Sequence, residues 1–211
     1  MRPVQQGYGR SSFRWKASPV YEVELKFPVP DTRAIEQRLT AMATRRHDPV
    51  EQSDRYFNHP GRDFARTDEA LRLRRDGDRV VITWKGPRID TATKTRREIE
   101  LPLSLELPQP GAALHPAEFA IACWTELLEA LGFRPVATVA KRRSYAVVAW
   151  QGREVEVALD SVIGLGEYLE LELQAVEADV PQARACLESL ARELGCGNPE
   201  RRSYLELLLE S

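Results

Sequence analysis

The sequence has little of what marks secreted, membrane-spanning or nucleic-acid-binding proteins. Its three cysteines, Cys123, Cys186 and Cys196, are widely spaced and form no CxxC pair, which favours separate thiols in a reducing compartment over a disulfide framework. No apolar run approaches the length of a membrane span, and the N-terminus lacks the apolar core of a signal peptide. The formal net charge of -2 gives no broad attraction to nucleic acid or anionic membrane. We therefore expect a cytoplasmic protein with neither as its partner.

Several familiar catalytic motifs are also missing. The chain contains no GxSxG, no Walker loop and no zinc-binding pattern, and its three histidines are scattered without ligand spacing. The "GLG" at 164–166 is followed by no helix that could cradle a phosphate, so it indicates a tight strand connection. Serine-hydrolase, P-loop and zinc chemistry are not indicated.

The 211 residues are enough for one sizeable domain with its own core. Residues 1–18 contain four basic residues and no acid, and we expect them to form a flexible basic tail. Residues 19–211 are expected to form a single domain. Apolar residues at helical spacing predict four helices: 31–44, 116–131, 181–194, and a short one within "PERRSYLELLL". Alternating polar and apolar residues predict strands at 20–27, 53–58, 70–75, 79–86, 95–102, 136–149, 153–161 and 167–175.

Two hairpins allow a test of which side chains share a face. In "LRLRRDGDRVVITWK", an Asp76-Gly77 loop would place Arg74 opposite Arg79, and directly opposed residues point to the same side of a sheet. In the second hairpin, a Gln151-Gly152 loop would place Arg143 opposite Asp160. The first face then holds Arg72, Arg74, Thr83 and Lys85, and the second holds Lys141, Arg143, Glu154, Glu156 and Asp160.

The same alternation gives every long strand one charged face and one apolar face. The acids on these faces are Glu22, Glu24, Glu98, Glu100, Asp160, Glu170 and Glu172. The bases are Lys26, Arg72, Arg74, Lys85, Arg96, Lys141 and Arg143. An open sheet with one wet side would produce charged faces too, but Thr, Ser, Gln and Asn should then be mixed among them. The alternative is a closed barrel with a charged interior and helices on its apolar exterior.

A charged interior needs charged contents, because burying unpaired ions is costly. Divalent cations suit carboxylates, and a polyanion suits guanidinium and ammonium groups. A triphosphate with Mg²⁺ or Mn²⁺ would satisfy both sets.

An ordered series of motifs resembles the CYTH group, the triphosphate tunnel metalloenzymes, which includes class IV adenylyl cyclases and thiamine triphosphatases. "EVELK" at 22–26 resembles the ExExK signature of this group. The later motifs are "DRYF" at 54–57, "LRLR" at 71–74, "TWKGP" at 83–87, "TRREIE" at 95–100, "KRRSY" at 141–145, "LDSVIGLGEYLELE" at 159–172 and "RSYLELL" at 202–208. The last two are most similar to the class IV cyclase branch.

This resemblance implies an α+β fold with a closed eight-stranded antiparallel β-barrel, a tunnel with helices packed outside. By motif position, the residues implied to hold phosphate are Lys26, Arg72, Arg74, Lys85, Lys141 and Arg143, with Lys26, Lys85 and Arg143 as the catalytic candidates. The residues implied to hold Mg²⁺ or Mn²⁺ are Glu22, Glu24, Asp160, Glu170 and Glu172. Arg96, Glu98 and Glu100 are further candidates.

Three functions follow from the resemblance. The first is a class IV-type adenylate cyclase, converting ATP to cyclic AMP and pyrophosphate. The second is a triphosphatase acting on inorganic triphosphate, a nucleoside triphosphate or thiamine triphosphate. The third is a non-catalytic module that binds polyphosphate or a nucleotide. A monomer or a homodimer is expected.

Overall fold

The computed structural model describes residues 20–42, 45–89, 95–103 and 115–211. The predicted basic tail, residues 1–18, lies outside the described residues. Within them, no helix combines the length and the apolar character needed to cross a bilayer.

Eight antiparallel strands close on themselves into a barrel. Around the barrel their order is β7-β3-β4-β5-β6-β1-β9-β8, and β8 pairs back with β7. A ninth, two-residue strand, β2, pairs with β7 outside this circuit. The strands are β1 Val20–Pro28, β2 Arg45–Arg46, β3 Val50–Asn58, β4 Ala70–Asp76, β5 Arg79–Arg88, β6 Arg96–Leu103, β7 Arg134–Trp150, β8 Arg153–Val162 and β9 Gly166–Val176. The predicted closed eight-stranded barrel is confirmed.

The helices lie outside this barrel or at one of its ends. They are α1 Thr32–Ala41, α2 Phe64–Thr67, α3 Pro116–Ala130, α4 Val180–Glu193 and α5 Tyr204–Glu210. The Asp31 side chain accepts a hydrogen bond from the backbone of Arg33 and begins α1, while Ser203 and Glu206 form a capping box at α5. The four-residue helix α2 and the strand β2 were not predicted, because elements this short leave no periodic pattern.

Two apolar clusters join the helices to the outer face of the barrel. Leu25 of β1 and Leu171 of β9 pack in one cluster with Leu187 and Leu190 of α4. On the opposite side, Leu73 of β4 packs with side chains of α2 and α3. The apolar faces therefore point outward under the helices, which leaves the charged faces to line the interior.

The two hairpins differ in how well their register was predicted. Arg143 lies opposite Asp160 as expected, and Gln151 and Gly152 both adopt positive φ, of 48° and 76°. In the first hairpin, Arg72 lies opposite Thr83 and the loop is Gly77-Asp78, so the predicted Asp76-Gly77 loop was wrong. Gly77 takes the first loop position with a φ of 57°, which glycine adopts without strain. Because the pairing moved by two residues, no side chain changed face.

One end of the interior, here called the apolar end, contains an apolar cluster beside its charged side chains. Val139 lies opposite Asp54 and Val162 opposite Lys141, so both valines occupy inward positions. They form a cluster with side chains of α5. The buried members of this cluster are Tyr56, Val139, Val162, Tyr168, Tyr204 and Leu207. The helix α5 therefore covers this end of the barrel.

Candidate functional site

A cavity of about 410 Å³ occupies the interior of the barrel. The predicted site residues that line it are Glu22, Glu24, Arg72, Arg74, Lys85, Arg96, Glu100, Lys141, Arg143, Glu170 and Glu172. Two further predicted residues, Lys26 and Asp160, are buried, with 1% and 0% of their surface exposed. The structure thus brings predicted side chains from six strands of the barrel, β1, β4, β5, β6, β7 and β9, to one cavity.

Three carboxylates form the most compact acidic group among the described residues. Glu24 of β1 lies directly opposite Glu172 of β9, and Glu22 is two residues earlier on the same face of β1. One oxygen from each of these three side chains lies within 4.8 Å of the others. Burial and the charge of Glu22 raise the pKa of Glu172 well above its ordinary value. Three convergent carboxylate oxygens are a donor set that fits Mg²⁺ or Mn²⁺.

The other two predicted metal ligands contact cations instead. The Asp160 carboxylate accepts hydrogen bonds from Lys141 Nζ at 3.1 Å, from Arg143 Nε at 2.6 Å and from the Tyr204 hydroxyl at 2.9 Å. Glu170 accepts a hydrogen bond from Arg143. Both acids therefore orient members of the cationic wall of the cavity. This wall consists of Arg72, Arg74, Lys85, Lys141 and Arg143. The role of Asp160 and Glu170 as metal ligands stays a prediction.

Arg72 and Arg74 are held by a carboxylate that the sequence prediction left out. Arg74 donates to both oxygens of Asp54, with Nε at 2.6 Å and Nη2 at 2.7 Å, and Arg72 Nη1 lies 3.4 Å from the same group. Burial alone would raise the pKa of Asp54, but Arg74 and Arg72 hold it well below its usual range. Asp54 begins the "DRYF" motif, and extending the alternation test to that strand would have found it.

Lys85 connects two strands of the barrel. Its Nζ lies 3.3 Å from Glu22 on β1 and 2.5 Å from Glu98 on β6. Burial would lower the pKa of Lys85, but Glu22 and Glu98 together raise it above its ordinary value. Lys85 is therefore a charged group close to the acidic cluster.

Lys141 and Lys26 differ in their surroundings. Burial and the neighbouring charge of Arg143 lower the pKa of Lys141 to about 8, despite the nearby Glu170 and Asp160. Lys26 donates from Nζ to the carbonyl oxygen of Arg202, in the segment before α5. Its predicted catalytic role stays a prediction, because the structure places this ammonium against the C-terminal segment.

The two remaining candidates lie on β6. Arg96 is buried and lies opposite Glu22, and the Glu100 carboxylate accepts a hydrogen bond from Thr83 Oγ1 at 3.2 Å. Both side chains line the cavity.

One mouth of the cavity has an apolar wall that the sequence prediction missed. Val136 and Leu209 line the cavity although 42% and 61% of their surfaces are exposed. Arg88 also lines the cavity, and it donates to Asp68 at 2.6 Å and to Glu206 at 3.1 Å. The apolar wall is assembled from β7 and α5, far apart in the chain, so no local pattern could reveal it.

The fold and the site define a class: a closed antiparallel barrel whose enclosed cavity carries both a cationic wall and a carboxylate cluster. The family model described as the CYTH domain matches residues 20–204. The chain belongs to the CYTH domain family.

Relatives in this family cover nearly the whole chain. A Methanocaldococcus jannaschii protein whose name proposes an adenylate cyclase is 31% identical, over 88% of this chain and 97% of its own. Adenylate cyclase CyaB from Aeromonas hydrophila is 28% identical, over 90% of both chains. The solved structure of protein PH1819 from Pyrococcus horikoshii OT3 is 39% identical with a TM-score of 0.75, over 90% of this chain and 98% of its own.

Proposed function

We propose that this protein is a divalent-metal-dependent enzyme that acts on ATP and releases cyclic AMP and pyrophosphate. The observation that carries the proposal is one cavity that holds both a row of arginines and lysines and a cluster of three carboxylates. The names of two relatives support cyclase activity in this family.

The cationic wall would bind the triphosphate. Guanidinium groups bind phosphate oxygens in a bidentate fashion, and Arg72, Arg74 and Arg143 are already oriented by buried carboxylates. Lys85 and Lys141 add ammonium groups to the same cavity. Such positioning and charge neutralisation are the main requirements of phosphoryl transfer.

Glu22, Glu24 and Glu172 would hold Mg²⁺ or Mn²⁺ at the acidic end of the cavity. When bound, the metal supplies neutralisation of phosphate charge and lowers the pKa of a coordinated hydroxyl or water. Lys85 contacts Glu22, so the cationic wall and this cluster are adjacent.

The apolar mouth is an argument that the substrate has a nucleoside attached to its triphosphate. Cyclisation requires the ribose 3′-hydroxyl to reach the α-phosphorus, so the nucleoside must be held beside the cavity. Val136 and Leu209 offer an apolar surface there, which a substrate made only of phosphate would leave unused. This observation favours ATP over inorganic triphosphate.

Product analysis tests the proposal. Pure protein is incubated with Mg²⁺ or Mn²⁺ and separately with ATP, inorganic triphosphate and thiamine triphosphate, and the products are separated by chromatography. We expect cyclic AMP and pyrophosphate from ATP. ADP and orthophosphate from ATP, or orthophosphate from inorganic triphosphate without any cyclic nucleotide, would identify a triphosphatase. Binding without turnover of all three would identify a non-catalytic module.

The mouth provides a second comparison in the same assays. Leu209→Ser should weaken ATP binding about five-fold, because apolar contact worth about 1 kcal/mol is lost. Its affinity for inorganic triphosphate should not change. Equal affinities of the variant and the wild-type protein for ATP would show that the nucleoside does not bind at this mouth.

The carboxylate cluster is tested by metal titration. Glu172→Gln should weaken Mn²⁺ binding about ten-fold or more, because one charged ligand is replaced by a neutral one. Glu154→Gln is the matched control, since Glu154 is an exposed acid on β8 outside the cluster. Isothermal titration calorimetry with Mn²⁺ measures the affinity of both variants for the metal. Equal affinities in Glu172→Gln and in the control would contradict a metal site at these residues.

A further inference from the structure

Tyr204 is a buried tyrosine at the first position of α5, and it reaches into the apolar end of the barrel. Only 6% of its surface is exposed, and its hydroxyl donates to Asp160 at 2.9 Å. The centroid of its ring lies 4.0 Å from Lys26 Nζ and 4.9 Å from Lys141 Nζ. One aromatic side chain therefore contacts two ammonium groups of the predicted phosphate site and the carboxylate of Asp160, a predicted metal ligand.

These contacts extend to the rest of the cationic wall. Asp160 also accepts hydrogen bonds from Lys141 and from Arg143. The Tyr204 hydroxyl thus fixes the carboxylate that orients both cations. The ring faces two ammonium groups, and a cation over an aromatic face is held by the quadrupole of the ring.

Tyr204 is itself held firmly in place. Ser203, immediately before it, forms the capping box of α5 with Glu206. Lys26 donates from its side chain to the Arg202 carbonyl, and its backbone carbonyl accepts from Glu200 N at 2.6 Å. These contacts join the segment before α5 to β1, so the tyrosine has a defined position relative to the barrel.

A buried tyrosine can also serve only to fill the core, and its contacts with Tyr168 and Leu207 do fill this end of the barrel. Core filling needs the ring and not the hydroxyl, and a phenylalanine would provide it. Here the hydroxyl bonds to Asp160, a charged group whose other partners are Lys141 and Arg143.

We infer that Tyr204 is a positioning residue: its hydroxyl orients Asp160 against Lys141 and Arg143, and its ring holds the ammonium groups of Lys26 and Lys141 for a triphosphate ligand. The inference rests on the proposed triphosphate-binding function and adds a second residue of α5, besides Leu209, to the site. Tyr204 lines the cavity and acts through these charged side chains.

The test uses the full-length protein with Tyr204→Phe, Tyr204→Leu and the control Tyr168→Phe. Tyr168 packs against Tyr204 with ring centroids 5.1 Å apart, so it samples the same packing without the bond to Asp160. Calorimetric titration with inorganic triphosphate should show about five-fold weaker binding for Tyr204→Phe, which loses one hydrogen bond to a charged group. Tyr204→Leu should bind about thirty-fold more weakly, because the cation–π contacts are lost as well.

Mn²⁺ titration and thermal unfolding of the same proteins separate positioning from folding. Tyr204 does not belong to the cluster of Glu22, Glu24 and Glu172, so Mn²⁺ affinity should match that of the wild-type protein. Triphosphate affinity unchanged in Tyr204→Phe would overturn the inference, as would an equal loss of triphosphate and Mn²⁺ binding. The phenylalanine variant decides the question even if the leucine variant does not fold.

This binding test is independent of the reaction. A wild-type protein that binds inorganic triphosphate but forms no cyclic AMP would contradict the proposed activity and leave the inference on Tyr204 standing. A wild-type protein that binds no triphosphate would overturn both.

Discussion

Asp54 shows how a charged interior is made tolerable in the absence of ligand. Its carboxylate forms ion pairs with Arg74 and Arg72, just as Asp160 does with Lys141 and Arg143. An arginine paired in this way is oriented in advance, but an incoming phosphate must compete with its carboxylate. The buried acids therefore contribute to folding and limit affinity for an anion at the same time.

Asp54→Asn should separate these two effects. Without ligand, we expect the free energy of unfolding to fall by about 3–5 kcal/mol, because two buried guanidinium groups lose their counter-charge. Inorganic triphosphate should then raise the melting temperature of the variant more than that of the wild-type protein, since the anion replaces the missing charge.

The matched control for Asp54→Asn is Asp179→Asn. It breaks the Arg153–Asp179 pair, which has a similar bidentate geometry with distances of 2.7 and 2.8 Å but lies at the surface. Little change in stability and no response to triphosphate are expected there, because water screens exposed ion pairs. A triphosphate-induced rise no larger in Asp54→Asn than in the wild-type protein would show that Asp54 does not compete with the ligand.

At the scale of elements, alternation within strands predicted the inward face of eleven charged side chains that line the cavity. A side chain's face depends only on odd or even position along the strand, so the error of two residues in the β4–β5 hairpin left Arg72, Arg74 and Lys85 facing inward. The register of the second hairpin was predicted correctly, because Gln151-Gly152 lies between two long strands and no other turn signal is near it. Local pattern is therefore sufficient to assign faces.

What the sequence could not predict depends on contacts between distant segments. Lys26 donates to the carbonyl of Arg202, which is 176 residues later in the chain, and Tyr204 reaches Asp160 from a different element. The periodicity of the sequence does not show which end of the barrel α5 covers. Arg143 was predicted opposite Asp160, but the contact of Arg143 with Glu170 on another strand was missed for the same reason. Alternation gives the face of a side chain, and hairpin register gives its partner within the hairpin, but neither gives its neighbours on other elements.

At the scale of the whole molecule, the barrel is closed less completely at one seam than at the others. Among the described residues, β1 and β6 pair at two positions, Tyr21 with Arg97 and Glu22 with Arg96. On its other side, β1 pairs with β9 at nine positions, from Val20 to Pro28. Lys85 crosses the sparse seam through Glu22 of β1 and Glu98 of β6, so side-chain charge supplements the few backbone pairs.

This seam should be the part of the barrel that opens most readily in the free protein. Hydrogen exchange followed by mass spectrometry should therefore show faster exchange in β6 than in β9, which has a paired strand on both sides. Adding Mn²⁺ and inorganic triphosphate together should slow exchange in β6. The ligands would be held by Glu22 on β1 and by Lys85, which contacts Glu98 on β6, and would therefore join the two edges of the seam. Lys85→Met should speed exchange in β6 and leave that in β9 unchanged. Exchange in β6 as slow as in β9 in the free wild-type protein would show that two backbone pairs are enough to close the barrel.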